Sequence, residues 1–154
     1  MREASLARGP HILLVEDNPG DVLLVKESFR AIADNFRISV ANDGQAAIEF
    51  LYGLGQFEGA ARPDLVLLDL NLPKISGLDV LAHIKANVDL QEIPVLILST
   101  STSPDDIQKA YALSANCYLC KPSGIDDFFH MMHVIQDFWL REVRFPTGPL
   151  LSRE

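Results

Sequence analysis

Positive charge is scarce in this chain: 13 lysines and arginines stand against 21 aspartates and glutamates, for a formal net charge of -8. This disfavours a nucleic-acid backbone as the main partner, because phosphate contacts depend on Lys and Arg. Long apolar runs are missing too, and without about 20 such residues in a row no segment is suited to span a bilayer. The polar start, Met1 to Pro10, carries two arginines but leads into no secretion-signal core. A flexible N-terminus over 1–10 on a soluble, cytoplasmic protein is therefore expected.

Cysteine is equally sparse. The two present, Cys117 and Cys120, have a gap that would suit a zinc or redox pair. Asn116-Cys-Tyr-Leu-Cys-Lys121 reads as a strand, however, and strand residues three apart project to opposite faces, where they cannot share a metal or close a disulfide. Buried or half-buried free thiols are expected. Internal repeats and low-complexity tracts are absent.

What remains is a chain of 154 residues, 48% of them apolar, enough for one well-packed domain. Short β-branched or leucine-rich runs alternate with longer helical patterns. His11 to Val15, Arg37 to Val40, Leu65 to Leu68, Val95 to Leu98 and Cys117 to Leu119 are strand candidates, three of them continuously apolar as buried parallel strands are. Helical patterns run over Asp21 to Ile32, Asp43 to Leu54, Gly77 to Asn87, Pro104 to Ser114 and Ile125 to Leu140. Ser103-Pro104-Asp105-Asp106 places a cap, a first-turn proline and two acids where a helix start favours them. The alternation predicts an α/β fold, a doubly wound five-stranded parallel sheet with helices on both faces. The tail Arg141 to Glu154, with two prolines and a glycine, reads as an extension that adds no element.

In such a sheet, function gathers beyond the carboxyl ends of the strands, where strand order reverses. Strand one ends in Val15-Glu16-Asp17 and strand three in Leu68-Asp69-Leu70-Asn71. With the order 2-1-3-4-5 these ends are neighbours and three carboxylates converge. Crowded carboxylates repel unless a cation sits among them, and an all-oxygen cluster suits Mg²⁺. Such a cation beside an exposed carboxylate would neutralise a transferring phosphoryl group while the carboxylate attacks in line. Taken alone, Glu16-Asp17 could equally be a solvated turn or a cap. But strand four ends in Leu98-Ser99-Thr100 and strand five in Lys121-Pro122, adding a hydroxyl and an ammonium for phosphoryl oxygens.

Val15-Glu16-Asp17-Asn18, Leu67-Leu68-Asp69-Leu70-Asn71-Leu72-Pro73 with Gly77 following, Leu98-Ser99-Thr100 and Tyr118-Leu119-Cys120-Lys121-Pro122 resemble, in order and spacing, the signature blocks of response-regulator receiver domains. The resemblance spans 11–140, between the flexible start and a C-terminal extension over 141–154, and implies the flavodoxin-like strand order. It implies that Asp69 accepts a phosphoryl group from a sensor histidine kinase. Asp17, Asp69 and the backbone carbonyl of Asn71 would ligate Mg²⁺ or Mn²⁺, with Glu16 acting through a metal-bound water. Lys121 would bridge phosphoryl oxygens, Ser99 and Tyr118 would form the switch pair, and Lys121-Pro122 would be cis. Glu16 stands where many receivers have Asp, and Ser99 where many have Thr. Both swaps keep the chemistry and leave affinity and lifetime open.

A narrower resemblance joins Tyr52 to Arg62, Asn116-Cys-Tyr118, and Phe138-Trp139-Leu140 followed by Phe145-Pro146. These are similar to the single-domain regulators that partner phytochrome-type photoreceptor kinases, which implies a bacterial phytochrome as partner. Two other function classes compete. A haloacid-dehalogenase-type phosphatase also uses an aspartate at a strand end, but needs a second acid two residues on, where this chain has Asn71. A pseudo-receiver that docks partners without being phosphorylated is the other, although every acceptor-site residue is present.

The remaining conspicuous residues read as structural. His130 and His133, three apart on the last helix, lack further ligands and read as surface or interface residues. His11 and His83 look isolated, and Gly53, Gly55 and Gly59 mark a flexible connection and not a nucleotide cradle. On the last helix, Ile125, Phe128, Phe129, Met132, Ile135, Trp139 and Leu140 form one stripe that would cover the sheet. Met131, Val134 and Phe138 fall outside it as a second strip, which predicts a homodimer through this helix unless the tail folds back over it.

Overall fold

The computed structural model describes residues 9–31 and 36–146. Its elements, in chain order, are β1 (His11–Val15), α1 (Pro19–Arg30), β2 (Arg37–Ala41), α2 (Gly44–Tyr52), a short 3₁₀ turn (Gly55–Phe57), β3 (Leu65–Leu68), α3 (Gly77–Ala86), β4 (Val95–Ser99), α4 (Pro104–Ala112), β5 (Cys117–Cys120) and α5 (Ile125–Ile135). The five strands form one parallel sheet in the order β2-β1-β3-β4-β5. The expected fold class and strand order are those observed.

Alternation along the strands divides the core in two. Leu13, Val15, Val66, Leu68, Val95 and Ile97 point to the face covered by α2, α3 and α4, against Phe50, Leu81 and Ile84. Ile12, Leu14, Leu65, Leu67, Leu96 and Leu98 point to the other face, against Phe29 of α1 and Phe128, Met132 and Ile135 of α5. Successive strand residues project oppositely, so both faces of a central strand can be apolar only if the run is continuously apolar, as β3 is throughout and β1 is from Ile12.

Helix starts are set by side-chain caps. Asn18 accepts from the backbone N–H of Asp21 at 3.1 Å, and Pro19 occupies the first turn, so α1 begins two residues earlier than expected. Asp43 caps α2 at 2.7 Å, Ser76 caps α3 at 3.2 Å and Ser103 caps α4 at 3.4 Å. Each satisfies a donor that the first helical turn leaves free.

Five expectations need correction. The last helix is not one α-helix to Leu140, because α5 passes into wider π-type turns over Gln136–Glu142. Its inner stripe is shorter than projected: Ile125 is 60% exposed, standing in the first turn ahead of Phe128, the first residue to reach the core. Met131 is half-buried against the core on the α1 side and so leaves the outer strip, whereas Val134 and Phe138 stay 51% and 55% exposed. Cys120 is exposed, while Cys117 is half-buried. The thiols are free, and both lie on the edge strand, where one flank is uncovered. Nor is His11 isolated: it is buried, packs against Phe50, and places Nε2 at 2.8 Å from the Ser39 hydroxyl and Nδ1 at 3.3 Å from the Arg62 carbonyl. His130 and His133 are exposed, as expected, and His83 is exposed too. Of the tail, the described part leaves the helix end with Val143 N–H donating to the Phe138 carbonyl, and Phe145, like Trp139 and Leu140, packs partly buried against the α1–α5 side of the core. Residues 147–154 and the N-terminal residues 1–8 lie outside the described residues, as does Ile32.

Candidate functional site

Four strand ends deliver the candidate residues to one edge of the sheet. Glu16 and Asp17 follow β1, Asp69 follows β3, Ser99 closes β4 and Lys121 follows β5. Register fixes this: Val15 pairs with Leu68 and Ser99 with Cys120, so the next residues emerge side by side. A cavity of about 410 Å³ opens there, lined among others by Glu16, Asp17, Asp69, Asn71 and Lys121. Carboxylate oxygens of Glu16, Asp17 and Asp69 all lie within 4.8 Å of one another.

Glu16 and Asp69 are buried and Asp17 is exposed. The Asp69 backbone N–H donates to the Val15 carbonyl at 3.0 Å, and its Oδ1 accepts from the Asn71 N–H at 3.3 Å. The Lys121 side chain is 6% exposed, and its Nζ stands 2.6 Å from Glu16 Oε1, 2.9 Å from Asp21 Oδ2 and 3.4 Å from Asp69 Oδ2. Burial pushes the Glu16 carboxyl up to about 7, against the opposing pull of Lys121. Burial alone would lower the Lys121 ammonium, but hydrogen bonds to Glu16 and Asp21 and the charges of Glu16 and Asp69 hold it above its usual range. Lys121 is therefore the fixed positive charge of the site and Glu16 its proton-sensitive member.

The Ser99 side chain is buried, its Oγ accepting from the Ser101 N–H at 3.1 Å. Tyr118 is half-buried and donates its phenol to the Ser101 carbonyl at 2.9 Å. One sequence expectation fails here. No peptide bond among the described residues is cis, so Lys121-Pro122 is trans. The ammonium reaches the carboxylates from a trans bond, the form an X–Pro bond prefers.

The structure thus gathers Glu16, Asp17, Asp69, Asn71 and Lys121 into one cavity and sets Ser99 and Tyr118 beside it. Met131, Val134 and Phe138 lie apart, on α5 and its continuation. Sequence reasoning missed Asp21, which falls four residues after Asp17 in the first turn of α1. No spacing rule pointed to it, because Asp17 precedes the cap Asn18 and lies outside the helix that carries Asp21.

A parallel sheet of this order, with its acids at the reversal point between β1 and β3, has the architecture of a receiver, a signalling module and not a classical enzyme. The chain belongs to the response regulator receiver domain family, whose model matches residues 12–133. It is 46% identical over 137 residues to the response regulator Rcp1 of Synechocystis sp. (strain ATCC 27184 / PCC 6803 / Kazusa), covering 89% of this chain and 93% of that protein. It is 42% identical over 138 residues to the probable methanogenesis regulatory protein FilR2 of Methanothrix harundinacea (strain 6Ac), covering 90% and 88%. The Mn²⁺-bound form of Rcp1 superimposes with a TM-score of 0.87 at 45% identity, over 90% of this chain and 99% of that one. The phosphorylated cyanobacterial phytochrome response regulator RcpA superimposes with a TM-score of 0.88 at 40% identity, over 90% and 99%. The chain is thus a response regulator homologous to cyanobacterial phytochrome regulators. Among the described residues no helix is long and apolar enough to cross a membrane.

Proposed function

We propose that this protein takes a phosphoryl group from a sensor histidine kinase onto Asp69 and thereby changes its interaction surface. The observation that carries the reading is the Glu16, Asp17 and Asp69 cluster facing the buried Lys121 ammonium. A trio of hard oxygen donors beside a cavity with room for water fits a divalent cation such as Mg²⁺ or Mn²⁺. Asp17 and Asp69 would hold it with the Asn71 carbonyl, and Glu16 would act at one remove. When bound, the cation supplies charge neutralisation for the phosphoryl oxygens.

The chain's own residues do the rest. An Asp69 carboxylate oxygen attacks phosphorus, forming the acyl phosphate as the bond to the donor histidine nitrogen breaks, and that nitrogen keeps the electron pair. Lys121 places an ammonium against the phosphoryl oxygens. Ser99 exchanges its bond from Ser101 N–H for one to a phosphoryl oxygen, and Tyr118 leaves the Ser101 carbonyl and turns toward the vacated space. Slow hydrolysis of the acyl phosphate resets the protein. Likeness to RcpA supports a phytochrome-type kinase as donor. The exposed Val134 and Phe138 support a homodimer through the last helix.

Intact-mass measurement with a small phosphodonor and Mg²⁺ should show one phosphoryl adduct. Asp69→Asn should abolish it, and Asp17→Ala or removal of metal should weaken it strongly. Ser99→Ala should keep the adduct but blunt the dependence of partner affinity on it. An undiminished adduct in Asp69→Asn would sink the assignment.

A further inference from the structure

Three carboxylates hold Lys121, and one of them belongs to no part of the proposed acceptor set. Asp21 Oδ2 lies 2.9 Å from Nζ, closer than Asp69 Oδ2 at 3.4 Å, although 100 positions separate the two residues in the chain. Its side chain is only 27% exposed. An acid in the first turn of a helix is favourable in its own right, but the capping of α1 is already done by Asn18, and the Asp21 carboxylate is turned onto Lys121.

An ammonium offers three donors and accepts nothing. Here they are shared among Glu16, Asp21 and Asp69. Glu16 and Asp69 are contested, because both are in the oxygen cluster that a dication would occupy, and Asp21 is outside that cluster. Were Glu16 and Asp69 the only anchors, a cation drawing on Asp69 directly and on Glu16 through water would weaken every hold on Lys121, and a buried charge that loses its partners is strongly unfavourable.

Resting on the phosphoacceptor reading, we propose that Asp21 is a positioning residue: it tethers the Lys121 ammonium beside Asp69 through a carboxylate that the cation does not need. Lys121 can then yield Glu16 without leaving the site.

The test is Mg²⁺ affinity, measured by titration calorimetry on the full chain and needing no phosphorylation. Wild type, Asp21→Asn, Asp21→Glu, Lys121→Ala and the Asp21→Asn/Lys121→Ala double variant are compared. Asp21→Asn should bind Mg²⁺ about fivefold more weakly, the scale of one partly buried ion pair, and Asp21→Glu should recover most of the loss. With Lys121 already removed, Asp21→Asn should change the affinity by less than about twofold, because double-variant coupling isolates the pair. Equal affinities for wild type and Asp21→Asn overturn the proposal. So does a fivefold loss that persists without Lys121, which marks a general effect of the missing negative charge. Absence of Mg²⁺ binding by wild type overturns the acceptor-site reading itself, and the tether with it.

Discussion

Glu16 is where burial and charge compete most directly. Its folded carboxyl retains a proton up to about pH 7, against an ordinary value of 4.5. A raised acid pKa means that the folded state binds the proton more tightly than the unfolded chain does. The stability contributed by this group is therefore present below about 4.5 and lost as pH rises toward 7. In metal-free buffer, the difference in Tm between Glu16→Gln and wild type should shift in the variant's favour by several degrees between pH 5 and pH 8. Added Mg²⁺ should stabilise wild type more at pH 8 than at pH 5, because it substitutes for the lost proton. A pH-independent difference between the two proteins would show that Glu16 does not titrate in this range. His11 has the opposite sign: burial lowers its pKa, so its neutral form adds stability above the usual histidine range that is lost on acidification.

Among the elements, the β3-to-α3 connection has the least room to vary. A Cβ at Gly77 would fall 2.2 Å from the Asp69 carbonyl oxygen and 2.5 Å from Leu70 Cα, and the Gly77 N–H donates to the Leu70 carbonyl at 2.9 Å. The first turn of α3 thus lies directly against the backbone of the proposed acceptor. Gly77→Ala should destabilise the fold by about 2 kcal/mol or more in chemical denaturation, since the clash is with backbone that cannot rotate away. Because Asp69 must shift to relieve it, Mg²⁺-dependent stabilisation should fall as well. A variant as stable as wild type, with unchanged Mg²⁺ response, would mean that the loop tolerates displacement. The same connection is held from α2, where Asp43 pairs with Lys74 at 3.5 Å and the Gly44 N–H donates to the Pro73 carbonyl at 3.4 Å.

On the scale of the whole molecule, the question is what meets the outer side of the last helix. With Met131 turned to the core, the strip narrows to Val134 and Phe138. Phe138 meets Trp139 edge to face at 5.6 Å between centroids and remains 55% exposed. Two-fold self-pairing would cover both residues at once. Sedimentation should find a dimer, and Val134→Asp with Phe138→Lys should give a folded monomer that still forms the Asp69 adduct. Wild type that stays monomeric at high micromolar concentration, phosphorylated or not, removes the dimer.

The sequence by itself determined the alternation of strands and helices, the two-sided sheet and the residues at its carboxyl edge. These depend on local properties: the period of apolar residues, the capping chemistry of Asn18, Asp43, Ser76 and Ser103, and the place of each acid just past a strand. Only the tertiary structure decided which groups share Lys121, because Asp21 reaches it across 100 positions and no local pattern carries that distance. It also decided the phase of the last helix. A fixed 100° step per residue puts Ile125 on the inner face and Met131 on the outer one, but the first turn stands ahead of the core and Met131 packs against it, both before the wider turns begin at Gln136. His11 was misjudged for a related reason: its partners, Ser39, Phe50 and Arg62, come from three other segments, which only the packed sheet brings together.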